Sequence, residues 1–508
     1  MKGPVALVTY ADFSKGEYGK TGAWRAPAGS FTGLNVATYD DGSIGPRVGL
    51  KAYTLTSMPP GDTLAMGYGK TTAGQLRIWF VKGTTVYSFV VDNYASQAVV
   101  AYAGAITTAP GASKSVSYVH RQGATYWLNH ADGKLWKLNH DTNAISATPA
   151  AAIVGADANA HAVVCQYGAR TIAATNISSR VFYSDADNPE SWPAANYFDV
   201  GETLMGITGL YAQRNHLSIA KGLDGHHGEW WVLTGVPGVD SVLRRQSVGP
   251  SPIPPGMGVI DGDGTVWFGD QYEQAPTAFT GSQVLARPEL VEATPRTYSA
   301  AVATRRPGDV LLAGNPSGNT EIVLTQRRSQ AWFRHRLEAG PSGYALAKAH
   351  MASFPGRDLH VFCTDGRSDF RSWQAYANSP ADAGAYAGVW TPASGDLCAF
   401  TLPEWWTEGD AEVSVRAVQV DFRSFAMGSG NCTWTLTMTP QRLHEGGAGT
   451  PQSFAFFEAA PGADVTRRRQ APFSFEHANG FQLALSNLRG VAIHKIAVYG
   501  SIRPALGL

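Results

Sequence analysis

Asp261-Gly262-Asp263-Gly264 opens like a calcium-binding loop. Such a loop needs more oxygen ligands and a Glu at its twelfth position. Here that position is Tyr272, and Glu273 falls one residue late. Val266, Trp267 and Phe268 follow as strand residues, so the four are read as a hairpin turn. His226-His227, with Asp224 and Glu229 nearby, could hold a metal only from a loop, because strand neighbours point to opposite faces. A polar loop is the simpler account. His120, His130 and His140 recur every ten residues but fall in different strands or turns, and we read them as incidental. Gly67-Tyr68-Gly69-Lys70-Thr71 ends like a phosphate loop, but Leu64 stands where its first Gly is needed and no helix follows. No G-x-S-x-G nucleophile elbow occurs. The acids Asp40-Asp41 and the Asp185, Asp187 and Glu190 set lie in turn-rich segments. Glycosidases use two carboxyls across a cleft, and carboxyls from different parts of a repeat fold could still meet. Arg467-Arg468-Arg469 is the basic run to weigh for phosphates or an acidic neighbour, and most such short runs are simply solvated. No catalytic, cofactor-binding or metal-ligating residue is assigned, and no cofactor is expected.

The elements that would position these residues are strands. The chain of 508 residues carries 40 Lys+Arg and 40 Asp+Glu, so its formal charge is zero. Charged residues make up 16%, against about 25% in an ordinary domain. With 44% hydrophobic residues and no net charge it is no disordered chain, and it lacks the basic excess of a nucleic-acid binder. No run of 18 apolar residues is present, so no membrane-spanning helix is expected. The opening ten residues do not read as a signal peptide, because the apolar run is short and Asp12 follows. Cys165, Cys363, Cys398 and Cys432 form no C-x-x-C pair, which argues against zinc and for a reducing site of synthesis. The sequons at Asn176 and Asn431 are then chance.

Short runs such as Gln75–Val81 and Val86–Val91, parted by a Lys82-Gly83 turn, are β-branched or aromatic strands. The ten-residue helices that a parallel sheet needs between its strands are missing. Aligning the aromatic strands places Tyr87, Trp136, Phe182, Trp231, Trp267, Trp332 and Trp373 at equivalent points. The mean step is about 48 residues, with gaps from 36 to 65. Several short strands per unit at this period predict a β-propeller of six to eight blades. An Ala/Gly/Pro stretch at 378–385 reads as a boundary. Beyond it, Glu412–Phe422 points Val413, Val415 and Ala417 inward and, after a slip, Val418, Val420 and Phe422. Cys432–Met438 alternates with Thr on the other face. The expectation is an all-β chain: an N-terminal extension at 1–30, a propeller at 31–380 and a C-terminal β-sandwich or jelly roll at 381–508.

One stretch carries a resemblance. It runs Arg180-Val181-Phe182-Tyr183-Ser184-Asp185-Ala186-Asp187-Asn188-Pro189-Glu190-Ser191-Trp192-Pro193, then Asn196–Gly201 and Ile207–Leu210. It resembles the S-D-x-x-x-P-E-x-W-P stretch of propeller-containing virion proteins of tailed bacteriophages, among them minor tail proteins and tail hub or nozzle proteins. Trp24–Val36 and Tyr39–Leu50 are similar to the opening of such proteins, with Val48 where they carry Pro. The resemblance implies a non-enzymatic virion component in the tail, its tip or the head–tail connection, made in the host cytoplasm. It would form a homo-oligomeric ring, touch other tail proteins, and meet nucleic acid only as passing DNA. The competing expectation is a glycoside hydrolase or glycan-binding propeller, and a tail-tip protein could also touch a host surface glycan. On the residues alone, Pro189 and Pro193 end the strand pairing, Asp185 and Asn188 can cap the turn, and Trp192 can fold back as an aromatic plug.

Overall fold

The computed structural model describes residues 5–111, 116–249 and 398–503 apart from 14–15, 18–29, 35, 40, 47–50, 159, 202–204, 214, 223–227, 408–410, 426–430, 443–446 and 460–462. Between 250 and 397 it describes 258–260, 266–269, 276–279, 284–286, 298–303, 310–314, 321–326, 331–336, 351–354, 359–363 and 370–374. Every regular element among these residues is a strand. Packing divides the chain into two compact units, one of Ala52–Ile322 with Ser342–Ser372, the other of Met1–Lys51, Val323–Pro341 and Trp373–Leu508.

The first unit holds most of a β-propeller, whose sixth sheet has its last two strands, Glu321–Gln326 and Ala331–Arg336, largely in the other unit. Among the described residues there are seven four-stranded antiparallel sheets taken in chain order. Their first strands are Ala65–Lys70, Tyr118–Arg121, Ala162–Tyr167, Ile207–Ala212, Val259–Ile260, Tyr298–Ala303 and Met351–Ser353. Each packs against the next, and the seventh packs against the first, which closes a ring of seven blades. Phe370 of blade 7 meets Phe80 at 4.8 Å and Phe89 at 5.1 Å in blade 1. The Tyr53 amide, just ahead of blade 1, donates to the Phe370 carbonyl at 3.0 Å. Strand Lys51–Ala52 thus serves as the fourth strand of blade 7, so the ring is latched by chain that precedes its first blade.

The third strands begin at residues 85, 134, 180, 228, 276, 321 and 370, in steps of 45 to 49. Five of the seven aromatics aligned in the sequence sit on third strands. Trp267 instead lies on a second strand, Val266–Gly269, and Trp332 on a fourth, Ala331–Arg336. Those two account for the uneven gaps. The hydrophobic clusters lie between adjacent blades: Trp79, Val81 and Val86 of blade 1 pack with Trp127, Trp136 and Leu138 of blade 2. Trp230 of blade 4 stacks on Phe279 of blade 5 at 4.0 Å. A single blade has no partner for such a face, so burial of these rings, worth about 3–5 kcal/mol each on truncation, exists only in the closed array.

The second unit contains a β-sandwich. One sheet runs Val36–Thr38, Ile44–Pro46, Val491–Arg503, Glu412–Ser424, Val465–Ala478, with Val5–Ala11 also on Val491–Arg503. The other centres on Gly480–Arg489 and Asn431–Arg442, flanked by Ala399–Thr401 and Gln452–Ala459. Their inner faces meet where Phe422 lies edge-on to Trp434 at 5.4 Å, and Phe454 to Phe473 at 4.9 Å. The slip read at Val415–Val418 is a β-bulge: the register shifts between Val415 and Ala417 against both neighbouring strands, turning Arg416 outward. The sheets divide the chain differently from a propeller beginning at residue 31, because Ser30–Leu34, Val36–Thr38 and Ile44–Pro46 pair within the sandwich sheets. The 378–385 boundary stretch lies outside the described residues.

Candidate functional site

Three blades in a row share one device on one side of the ring. The end of a blade's first strand, or the turn just after it, bonds to the connection between the third and fourth strands of the next blade. From blade 1 to 2, the Thr72 amide and hydroxyl donate to the Asp141 carboxylate at 2.9 and 2.5 Å. From blade 2 to 3, Arg121 lies 3.7 Å from Asp187. From blade 3 to 4, the Tyr167 hydroxyl donates to the Gly235 carbonyl at 3.0 Å.

The phage-like stretch forms the most elaborate of these connections. Residues 184–196 join strands Arg180–Tyr183 and Tyr197–Asp199. Asp185 holds the loop: its carboxylate accepts from the Ser191 hydroxyl at 2.6 Å and from Asn196 at 3.2 Å. Its amide donates to the Ser191 carbonyl, and the Asn188 side chain accepts the Glu190 amide. Trp192 donates Nε1–H to the Pro189 carbonyl at 2.8 Å and packs on the cluster between blades 2 and 3. Glu190 reaches back to blade 2, 2.5 Å from the Lys137 ammonium, and accepts the Tyr126 hydroxyl at 3.2 Å. The hydrogen bond to Glu190 holds Lys137 above its usual pKa. Cap, plug and rigid turn are thus as read from the residues, with the plug seated between two blades.

Asp185, Asp187 and Glu190 come together in one loop, but each already has a partner within the protein. Asp41 lies apart, bonded by the Ser43 amide and hydroxyl. Burial pushes its pKa up, yet those bonds, with Arg423 and His494, outweigh it and leave it lowered. Asp40 is outside the described residues, as are Asp224, His226, His227 and the Asp261–Gly264 turn. Glu229 is buried, ion-paired with Arg245 at 3.1 Å and accepting Trp231 Nε1–H at 3.1 Å. Gly67–Lys70 is the inner strand of blade 1. The basic run lies on Val465–Ala478 and is engaged: Arg468 makes two bonds to Asp421 at 2.7 and 3.0 Å, and Arg467 and Arg469 both pair with Glu458.

Treating His120 and His140 as incidental missed a network. Thr125 Oγ1 lies 2.7 Å from His140 Nε2 and 3.2 Å from His120 Nδ1, and the Tyr102 hydroxyl lies 2.6 Å from His140 Nδ1. Burial first, then the nearby His120 and Arg77, lowers the His140 pKa to about 3, so the ring is neutral. Gly69 makes room for it: a Cβ there would lie 2.2 Å from the ring. The first and third strands of a blade run the same way, so His120, near the end of the strand Tyr118–Arg121, and His140, just after Lys134–Asn139, reach the same side. His130 stands apart and accepts the Gly111 amide at 2.8 Å. Among the described residues no group of three or more His, Cys, Asp or Glu could hold a metal ion.

No protein-family model matches the chain, and no curated protein is similar to it. It is similar to the β-propeller domain of Cps50 (Swd1) from Myceliophteria thermophila at 10% identity, with a TM-score of 0.31, over 61% of this chain and 83% of that one. Hydrazine synthase of Kuenenia stuttgartiensis is 8% identical, with a TM-score of 0.41, over 61% and 94%. The calcium-binding protein regucalcin from Agrobacterium tumefaciens is 11% identical, with a TM-score of 0.36, over 52% and 90%. Each likeness is one of fold alone.

Proposed function

We propose that the chain is a structural component of a tailed-phage virion, a minor tail, tail-tip or head–tail protein that assembles as a symmetric ring. The observation that carries the reading is the loop at 184–196. Its residues resemble those of propeller-containing virion proteins, and its polar groups are spent on holding blade to blade rather than presented to a substrate. The proposal therefore gives the chain no catalytic role. Exposed apolar side chains fit a protein partner: Val236, Val239 and Val242 stand out at one hairpin of blade 4, which Tyr167 anchors. A zero net charge also leaves little repulsion between copies.

The glycan-binding alternative draws less support. Of the ten exposed large hydrophobics among the described residues, two are aromatic, Tyr197 and Phe457. The Tyr197 face is taken by the Arg180 guanidinium at 3.9 Å. Mass spectrometry of purified virions tests the proposal: peptides of this chain are expected at a fixed stoichiometry, and their absence from clean particles would overturn it.

A further inference from the structure

We infer that the seam between blades 1 and 2 is an acid-sensitive joint, which opens as the pH falls while the other seams stay closed. The inference needs no partner and stands apart from the virion reading.

Polar groups cross this seam at several points. Tyr102, just after the last strand of blade 1, places its hydroxyl 2.6 Å from Nδ1 of His140 in blade 2. Arg77 donates to the Asn143 side chain at 2.5 Å, and Thr72 to the Asp141 carboxylate. In the other direction the Thr125 hydroxyl donates to the Tyr68 carbonyl at 3.3 Å. Backbone joins in as well: the Ala103 amide donates to the Asn143 carbonyl, and the Ile145 amide to the Ala103 carbonyl.

Acid puts charge into the middle of this array. The His120 and His140 rings lie 5.8 Å apart, centroid to centroid. Their hydrogen-bond partners are neutral: Thr125 serves both rings, and Tyr102 holds the far nitrogen of His140. The charged groups that act on the pair are Lys70 and Arg77 from blade 1 and Asp141 from blade 2. Tyr68, Tyr102 and Tyr118 stand around it, and burial raises each phenol, so they stay neutral. With both rings protonated, four cations would face one carboxylate among the described residues. That carboxylate is exposed and already takes two bonds from Thr72. His140 is fully buried, and a Cβ on Gly69 would stand 2.2 Å from its ring, so neither water nor an anion can enter on that side.

Opening the seam relieves the charge. Burial, then His120 and Arg77, lowers the closed-state pKa of His140 to about 3, and burial with Lys70 lowers that of His120. In water each ring returns toward about 6.5. The open form therefore takes up protons first as the pH drops. Each ring multiplies the open population by up to about tenfold per pH unit below 6.5, until its closed value is reached. The next seam is fastened differently. Its charges come as the pairs Arg121 with Asp187 and Lys137 with Glu190, which face solvent and contribute little, while Trp192 packs between the blades.

Hydrogen–deuterium exchange of the full chain tests this, read by mass spectrometry between pH 7 and pH 4 and corrected for intrinsic rates. Peptides holding Ala103 and Ile145 report the seam of blades 1 and 2. The Val164 amide, bonded to Ser117, reports that of blades 2 and 3, and the Tyr53 amide, bonded to Phe370, that of blades 7 and 1. Exchange should rise with falling pH earliest and most steeply at Ala103 and Ile145. His120→Gln should make that rise shallower, because one proton fewer is taken up on opening. Asp141→Asn should start it at a higher pH, because the one anion is gone. The fully buried His360 of blade 7 is the rival trigger. An earlier or equally steep rise at Tyr53 or Val164, or a slope at Ala103 and Ile145 that His120→Gln leaves unchanged, would overturn the inference.

Discussion

Gly69→Ala should destabilise the propeller by forcing one methyl group against a ring that has nowhere to go. The added Cβ would stand 2.2 Å from Cε1 and Nε2 of His140. That ring is held at both nitrogens, by Tyr102 at 2.6 Å and Thr125 at 2.7 Å, and is fully buried. Overpacking a filled core costs about 1–3 kcal/mol. Turning the ring away instead strands buried hydroxyls, at about 1–3 kcal/mol each. The cheaper route sets the loss, at about 1–3 kcal/mol. At roughly 2 °C per kcal/mol for a unit this large, the melting temperature should fall by ~2–6 °C. Trp fluorescence follows the melt, because Trp79 and Trp127 pack between the same two blades. The decisive measurement is the cycle with His140→Ala. That substitution is itself destabilising by ~2–4 kcal/mol, through a cavity and unpaired hydroxyls. With the ring gone, however, Gly69→Ala should cost under ~0.5 kcal/mol, since it also lowers the entropy of the unfolded chain. An equal cost for Gly69→Ala in both backgrounds would refute the reasoning.

The same ring makes stability depend on pH. Burial, with His120 and Arg77 nearby, lowers His140 to about 3, and burial lowers His360 to about 4, against an ordinary value of 6.5. A folded pKa below the unfolded one means that the unfolded chain takes up protons first as the pH drops. The stabilisation is complete above about pH 6.5 and is lost progressively toward the folded values. Melting temperature should therefore fall from pH 7 to pH 4, and His140→Gln should flatten part of that slope; an unchanged slope would contradict a neutral buried ring. In the loop at 184–196, Trp192→Ala should cost about 2 kcal/mol by unseating the half-buried plug. Glu190→Gln should cost under about 1 kcal/mol, because its pair with Lys137 faces solvent. Chemical denaturation of the two variants checks that order, and a reversal would show that charge, not packing, fastens the blades.

The sequence carried the blade period because each blade must bury an apolar face against its neighbour, and that demand recurs every 45 to 49 residues. It misphased Trp267 and Trp332 because an aromatic is as much at home on a second or fourth strand as on a third, and the pattern does not say which. Third strands Pro276–Phe279 and Glu321–Gln326 hold no Trp to mark them. The bulge at Arg416 was legible, since a slip in a period-two pattern has few other causes. The sheet partners of Val5–Ala11 and Ser30–Leu34 were not. Alternation says that a strand has an inner face; it does not say that Val5 will pair with Gly500 or Thr32 with Thr401. Likewise, three histidines at intervals of ten gave no hint that two would share one threonine while the third bonded a loop amide.

The histidine network and the phage-like loop follow one logic. In each, polar groups that could serve chemistry are bonded within or between blades. His140 is neutral and enclosed, Asp185 is bound by its own loop, and Glu190 is spent on the blade before it. The aromatics are used in the same way: Trp79, Trp127 and Trp230 are buried between blades, and Trp434 between sheets. Among the described residues, what stays exposed includes an apolar hairpin on blade 4, with Val236, Val239 and Val242 outward. An exposed apolar hairpin held by Tyr167 is the part of this surface that the protein partner proposed above would cover.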